Sequence, residues 1–558
     1  MKHNDIGSRE AAIDGHHVEM YPGTEIMEDY AGSHLVHSHN DKRGAVLIPH
    51  PSDNLDDPLN WSPFWKWTVV ATQAITILTG VISALSVSPL TLVFEAEWNK
   101  SEHAIAVLTS NLVLVTGYTN FILVPLAEVF GRRFVLLACS LITLGASIWH
   151  GAAQSYSSFM GARIMIAVGM SISESLMPMV ISDVFFLHER GRFVGIYFFF
   201  LFNAMFLGPL IAGSCEKHFG DWRTFYWIAS SFCAASTVAA FFLHPETKYK
   251  RELPEEVAHP VVTTVVGEKV DIEQFENPGN NGGGSGGGGG SSSSDQQRID
   301  RDPALGNGKP SKQQFKLIQG MDKDALKKVS RHVVTPIHLL IFPIVVFGSW
   351  VFTSAANGLL LINYTQSGAL SASPYNFDSG QIGLSNLALA CGGTIGVFTA
   401  GPLSDWIAMY LTRRNHGIRE PEMRLPTLVP FILLSALGII ITGLGFEYGW
   451  PWEAVIVVGF GNIGLMTVAL STVGITYAVD SYKPVAGQIM TIATVVKNTF
   501  GFGMGYYITE WVADDGYIPA YMMQLSVVVG PAILGIVVFM IFGKRLRKLS
   551  RNSKVHTF

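Results

Sequence analysis

Along this chain, polar stretches alternate with apolar runs of roughly 20 residues, each long enough as a helix to cross a ~30 Å hydrocarbon layer. The pattern predicts twelve membrane helices, over 67–92, 105–127, 134–152, 160–187, 193–215, 224–243, 333–362, 380–402, 427–446, 453–479, 486–509 and 518–542. They fall as six, a long hydrophilic gap, then six more, which is the layout of a chain built from two parallel repeats. The expected fold is therefore an all-α membrane protein of two six-helix bundles, 67–243 and 333–542. Around them lie an N-terminal tail over 1–66, a central loop over 244–332 and a basic tail over 543–558.

Lysine and arginine set the expected orientation, because basic loops stay on the cytoplasmic side. The odd-numbered loops carry only Lys100, Lys217 and Arg223, whereas the even-numbered ones carry Arg132-Arg133, Arg190 with Arg192, and Arg413-Arg414 with Arg419 and Arg424. Both termini and the central loop are thus expected in the cytoplasm. The Gly/Ser tract Gly282–Ser294 buries too little apolar surface to offset its ordering entropy and reads as a flexible linker. Gln313–Arg331 looks amphipathic, fit to lie on the inner membrane face. The polar first 66 residues, with His34, His37 and His39, read as a disordered tail rather than a metal site.

Composition agrees. Of 558 residues, 49% are hydrophobic and 15% charged, against about 25% charged in soluble domains. A net charge of −5 gives no sign of a nucleic-acid partner. The four cysteines lie in or beside apolar runs without zinc spacing and read as packing residues. With no cleavable signal peptide in view, the run beginning near Trp67 is expected to act as the targeting signal. No Walker loop, nucleophile elbow or ligand cluster points to an enzyme, and no metal or other cofactor is called for.

The two halves repeat their loop chemistry. Helix 2 ends in Glu128 followed by Arg132 and Arg133; helix 8 ends in Asp405 followed by Arg413-Arg414. Helix 4 ends in Asp183 followed by Arg190; helix 10 ends in Asp480 followed by Lys483. An acid at a helix's C-terminal end is unfavourable unless a cation is close. Glu128, Arg132, Arg133, Asp183, Arg190, Asp405, Arg413 and Asp480 are therefore candidates for a conformational latch that breaks and reforms as the halves rock.

These residues carry a resemblance. The run Leu126–Arg133 is similar to the loop 2–3 signature of the major facilitator superfamily, and Asp57-Pro58-Leu59-Asn60-Trp61-Ser62 resembles the stretch before helix 1 in its fungal members. Phe206-Leu207-Gly208-Pro209 with Gly213 resembles the antiporter signature of helix 5, and Pro245-Glu246-Thr247 and Gly401–Asp405 also fit. Val124, Glu128 and Ala204 stand where the family usually has Gly, Asp and Gly. The chain resembles the fungal twelve-helix drug:proton antiporter group. That implies proton-coupled transport of small molecules by a protein that works as a monomer in the lipid bilayer, at the plasma membrane or the vacuolar membrane.

A charge at the bilayer centre costs roughly 2.5–3.5 kcal/mol even on lenient scales and so needs a reason. Glu174 lies near the middle of helix 4 and Lys497 near the middle of helix 11. Glu174 is a candidate proton carrier. Lys497 is expected to pair with it across the halves, to bind an anionic substrate or to snorkel. Arg163, on the outer part of helix 4, matches an arginine that the resembling family uses in proton handling; interface anchoring is its other reading. Gly208 and Pro209, with Gly213, are expected to bend helix 5 at the interface of the halves. Gln73, Asn203, Asn357, Asn363, Tyr364, Gln381, Asn386 and Asn498 are candidates to line a mostly apolar, aromatic cavity, with His338 a further polar residue on helix 7. Such a cavity suits a bulky amphipathic substrate better than a sugar or phosphate. Asn363-Tyr364-Thr365 is a glycosylation sequon on the outer side.

The sequence thus points to a proton antiporter exporting a xenobiotic or a fungal secondary metabolite. Import of a polyamine or organic acid in the same fold, or a non-transporting receptor, are the alternatives.

Overall fold

The computed structural model describes residues 10–13, 16–19, 25–26, 52, 54, 56–249, 306, 308–316, 335–415, 418–482 and 485–550, with side chains except at 10–26, 187–192, 194 and 486. The Gly/Ser tract, most of the amphipathic stretch 313–331, and His34, His37 and His39 lie outside the described residues.

The described chain is nearly all helical. We name its long helices α1 (Pro63–Trp98, with a 3-10 turn at Ser88–Leu90), α2 (Glu102–Phe130), α3 (Arg132–Ala152), α4 (Tyr156–Val184) and α5 (Leu187–Phe219). They continue with α6 (Arg223–Leu243), α7 (Pro343–Ser371), α8 (Ser379–Arg414), α9 (Leu428–Tyr448), α10 (Ala454–Ser481), α11 (Ala486–Asp515) and α12 (Tyr517–Ser550). Local chemistry marks their ends. Ser101 and Ser155 cap α2 and α4, Asp378 and Gln381 form a capping box on α8, and Pro63 and Pro343 open α1 and α7.

Eleven of these helices are long and apolar enough to cross a membrane by length and composition. The other is α11, whose 30 residues include Gln488, Lys497, Asn498 and a run of threonines and glycines. Several helices outrun their expected spans; α8 continues to Arg414 and α12 to Ser550. Hydropathy registers where lipid contact ends, while the backbone ladder keeps its hydrogen bonds beyond that point.

Helix packing repeats with an offset of six. In the first bundle α1 packs on α4, α5 and α6, α3 on α4 and α6, and α2 on α4. In the second, α7 packs on α10, α11 and α12, α9 on α10 and α12, and α8 on α10. The bundles meet along α2 with α11 and α5 with α8, a pair of contacts that exchange under the same offset. The molecule therefore has an approximate two-fold relation between its halves, and its centre is the seam enclosed by those four helices.

The expectation of a disordered tail up to residue 66 is corrected at its end. Asp57, Leu59, Asn60 and Trp61 are fully buried. Asn60 donates to the carbonyls of Ser52 and Asn54, and the Asp57 side chain accepts from Leu59 N–H. Ser62 N–H donates to Gly308 O at 2.8 Å, and Gln314 donates to Asp56 O at 2.8 Å. Short polar side chains here replace the backbone partners that a tight, buried turn lacks. Short ladders pair Glu10–Ile13 with His16–Glu19 and Glu25–Ile26 with Ile418–Arg419.

Candidate functional site

α4 is not one straight helix. It runs from Tyr156 to Ser171, passes through a 3-10 turn at Ile172–Glu174 and resumes from Leu176 to Val184. Pro178 has no N–H, so the carbonyl four residues back, that of Glu174, loses its helical partner. The Tyr197 hydroxyl on α5 donates to that carbonyl at 3.0 Å. Ser175 donates to Asn120 Oδ1 on α2 at 2.8 Å, anchoring the next residue of the turn. The break thus holds Glu174 at the inner wall of its bundle.

From the other bundle, α11 brings Lys497 to the same point. Lys497 Nζ lies 2.7 Å from Glu174 Oε1, and both residues are more than nine-tenths buried. The ammonium also lies 5.2 Å from the centre of the Phe352 ring. The pair sits in the wall of a cavity between the bundles. Tyr197, Phe198, Phe202 and Phe352 supply aromatic wall, Met170, Met205 and Met490 supply flexible apolar wall, and Asn363, Thr467, Thr494 and Asn498 supply polar atoms. Such a chamber holds an apolar body and offers few polar anchors.

The cavity candidates divide. Asn498 lines the chamber. Gln73 does not: it lines a separate small cavity inside the first bundle, with Thr76, Ser140 and Thr143. Asn203 accepts from Thr394 on α8 at 3.3 Å, Tyr364 meets Ser110 on α2 at 3.2 Å, and Asn386 donates to the Ile382 carbonyl and to Gln366. Those three tie helices together, and Asn357 is buried but does not line the chamber. Gln381 serves the α8 cap, and His338 is exposed. Asn363, a cavity candidate that also carries the sequon, lines the chamber.

Arg163 is fully buried in the first bundle and donates to the carbonyls of Ala84 and Leu108 and to Thr109 Oγ1. Those partners stand on α1 and α2, so Arg163 joins three helices of one half.

At the basic end of the molecule, Arg132 Nε lies 3.0 Å from Asp183. Arg133 is turned elsewhere. Its guanidinium donates to the carbonyls of Phe241 and His244, and its ring neighbours are Phe241 and Phe315. Burial, with Arg133 adding to it, pushes His244 down to about 3, so that imidazole stays neutral beside the guanidinium. Glu246, quoted above only as part of a motif, accepts the N–H groups of Arg132 and Arg133 at 2.9 and 3.1 Å and so caps α3. A side chain at Gly131, where φ is +105°, would run into that carboxylate. The acid at the start of the Pro245-Glu246-Thr247 turn was legible only as a motif member, because its partners are 113 and 114 residues away.

In the second half the expected cation is corrected. Arg424, in the 3-10 stretch Pro421–Thr427, lies 2.8 Å from Asp405 and 2.8 Å from Asp480, with Arg419 3.8 Å from the latter. Arg413 is exposed, points along its own helix to Met409 and joins neither acid. The side chains of Arg190 and Lys483 lie outside the described residues, and Glu128 is half-buried.

At the opposite end the bundles are bonded together. Lys217 lies 3.0 Å from Asp378, Glu216 accepts from Ser379, Gln366 meets Ser88, and His103 lies 3.7 Å from Glu510. The helix-5 motif splits by face. Gly213 lies against Ser379 O and Gly383 of α8, and the Pro209 carbonyl also faces Gly383; Gly208 lies against the Ile82 and Leu85 carbonyls of α1, inside its own half. Only the first two are thus at the interface of the halves.

A family model for the Major Facilitator Superfamily matches residues 72–506. An MFS-type transporter of Schizosaccharomyces pombe is 26% identical over 551 residues, covering 95% of this chain and 93% of its own. The protein HOL1 of Saccharomyces cerevisiae is 23% identical, covering 90% of each chain, and the efflux pump vrtL of Penicillium aethiopicum is 23% identical, covering 89% of each. Among solved structures, the human organic anion transporter MFSD10 (TETRAN) superposes with a TM-score of 0.51 at 13% identity, covering 84% of this chain and 99% of that one, a likeness of fold.

Proposed function

This chain belongs to the Major Facilitator Superfamily, and on that premise we propose that it is a secondary active transporter that exports hydrophobic or amphipathic small molecules by proton antiport. Membership makes it a multi-pass membrane transporter and not an enzyme. The observation that carries the finer reading is the buried Glu174–Lys497 pair, which joins the two bundles across an apolar and aromatic chamber.

The chemistry runs as follows. With the arginine-rich loops in the cytoplasm, the end bonded by Lys217 and Asp378 is the outer one, and the chamber is closed to the outside. Substrate enters from the cytoplasm. When the outer end opens, a proton reaches Glu174, removes its charge and releases Lys497, so the bond between bundles is lost as the substrate leaves. Return of the proton to the cytoplasm restores the pair. One charge moved through 100 mV supplies about 2.3 kcal/mol, and each pH unit adds about 1.4 kcal/mol. Arg132–Asp183 and Arg424 with Asp405 and Asp480 are the latches at the inner end, doubled by the two-fold relation. The plasma membrane is the proposed location, and relatives named as efflux pumps support the direction.

The test is transport in sealed proteoliposomes. Glu174→Gln is expected to exchange substrate across the membrane at equilibrium while failing to concentrate it against a pH gradient; gradient-driven export at the native rate in that variant overturns the reading.

A further inference from the structure

Three side chains in the chamber wall carry buried polar atoms without a hydrogen-bond partner: Glu174 Oε2, Asn498 Nδ2 and Thr494 Oγ1. Each residue is at most 5% exposed. Thr494, Lys497 and Asn498 are spaced i, i+3, i+4, so one face of α11 carries all three along the chamber wall, with Glu174 on the break in α4 in the same wall. An unmet donor or acceptor this deeply buried costs about 1–3 kcal/mol, so a ligand that satisfies it recovers that cost on binding.

The charges here are already balanced. Lys497 answers Glu174 at 2.7 Å. A ligand with a net charge would leave one charge uncompensated among aromatic and methionine side chains, where isolated ions are strongly disfavoured. A neutral ligand does not. What lacks a hydrogen-bond partner in the wall is one acceptor, Glu174 Oε2, and one or two donors, Asn498 Nδ2 and the Thr494 hydroxyl. A carboxamide or lactam carries a matching donor and acceptor on neighbouring atoms. Its N–H donates to Glu174 and its carbonyl accepts from Asn498, and a carboxamide pairs with the Asn498 carboxamide whichever way that side chain is turned.

We infer that the chamber between α4 and α11 is a site for net-neutral molecules with an apolar or aromatic body and a secondary or primary amide, the amide bridging Glu174 of one bundle and Asn498 of the other. This rests on the transport reading for its assignment of the chamber as the place where substrate sits. Because such an amide contacts both halves, it binds best in the state where the Glu174–Lys497 pair is closed and loses one of its anchors when the halves part.

The test is equilibrium binding to the purified full chain in lipid nanodiscs at pH 7 without a gradient. The probes share one ring system: 2-naphthylacetamide, its N,N-dimethyl amide, 2-naphthylacetate and 2-(2-naphthyl)ethylammonium, with 2-ethylnaphthalene as the apolar control. The primary amide is expected to bind about fivefold or more tightly than the dimethyl amide, which lacks the donor, and than either ion. Asn498→Leu is expected to weaken the primary amide about fivefold and to leave 2-ethylnaphthalene unchanged. Tighter binding of either ion, equal binding of the two amides, or an unchanged amide affinity in Asn498→Leu overturns the inference; should that variant not fold, the probe ranking on the native protein decides alone. Gradient-driven export is not read here. A protein that ranks the amide first but never concentrates substrate loses only the transport reading, and one that exports but prefers an ion loses only this inference.

Discussion

Lys497 Nζ and Glu174 Oε1 lie 2.7 Å apart, although the residues are 323 positions apart in sequence and belong to different bundles. Each alone would be a charge stranded at membrane depth. Together they turn that cost into a bond whose presence depends on how the halves sit.

Removing one partner of a buried pair leaves the other uncompensated, at about 3–5 kcal/mol. Lys497→Met is therefore expected to lower the melting temperature of the purified protein sharply. Combining it with Glu174→Gln, which removes the second charge, should recover most of the loss. Thermal melting of the two single variants and the double variant measures this. A double variant as unstable as the sum of the singles would show that the residues do not act on each other.

The second-half latch separates two arginines that look alike in sequence. Arg424 is nine-tenths buried and lies between Asp405 and Asp480. Arg424→Ala leaves two acids facing each other and is expected to cost about 2–4 kcal/mol. Arg413→Ala, on an exposed side chain, should stay within about 0.5 kcal/mol. Denaturation of both variants in the same detergent gives the comparison, and a larger loss at Arg413 would reverse the assignment.

That contrast also marks where the sequence stopped being legible. Helix number, the central gap and the two intramembrane charges follow from local counting, because lipid forbids unpaired backbone and penalises charge within every 20-residue window. Arg413-Arg414 was the obvious partner for Asp405 because it follows eight residues later on the same helix. The chain instead folds Pro421–Thr427 back beneath α8 and α10, and a fold-back of that kind leaves no periodic signal. Gln73, Asn386 and Tyr364 were equally unresolvable, since a polar residue on a membrane helix reads the same whether it faces a chamber or another helix.

The Lys217–Asp378 bond at the closed end should be indifferent to pH across the physiological range. Backbone N–H from Gln381, then Lys217, hold the Asp378 carboxyl below the usual aspartate range. A carboxyl with a depressed folded value stabilises the bonded end above its unfolded value of about 3.9, and that contribution fades only as pH falls through the lower folded value. Between pH 7 and pH 5, the change in melting temperature caused by Lys217→Ala is expected to stay constant. The pair is about half exposed, so Lys217→Ala should cost no more than about 1 kcal/mol. A change in that difference between pH 7 and pH 5 would assign proton sensing to this pair.

The break in α4 gives the last prediction, because it rests on one missing N–H. Pro178 frees the Glu174 carbonyl, and the Tyr197 hydroxyl takes it up at 3.0 Å. Tyr197→Phe strips that partner from a buried carbonyl and is expected to cost about 1–3 kcal/mol. Pro178→Ala restores a backbone donor to the same carbonyl, so in the double variant much of that stability should return as α4 regains its ladder. Straightening α4 withdraws Glu174 from Lys497, however, and the double variant should therefore melt near the native temperature while losing most gradient-driven transport. Stability and flux measured on the same preparations separate the two effects. Native transport in the double variant would mean that the break only accommodates a proline and does not place the carboxylate.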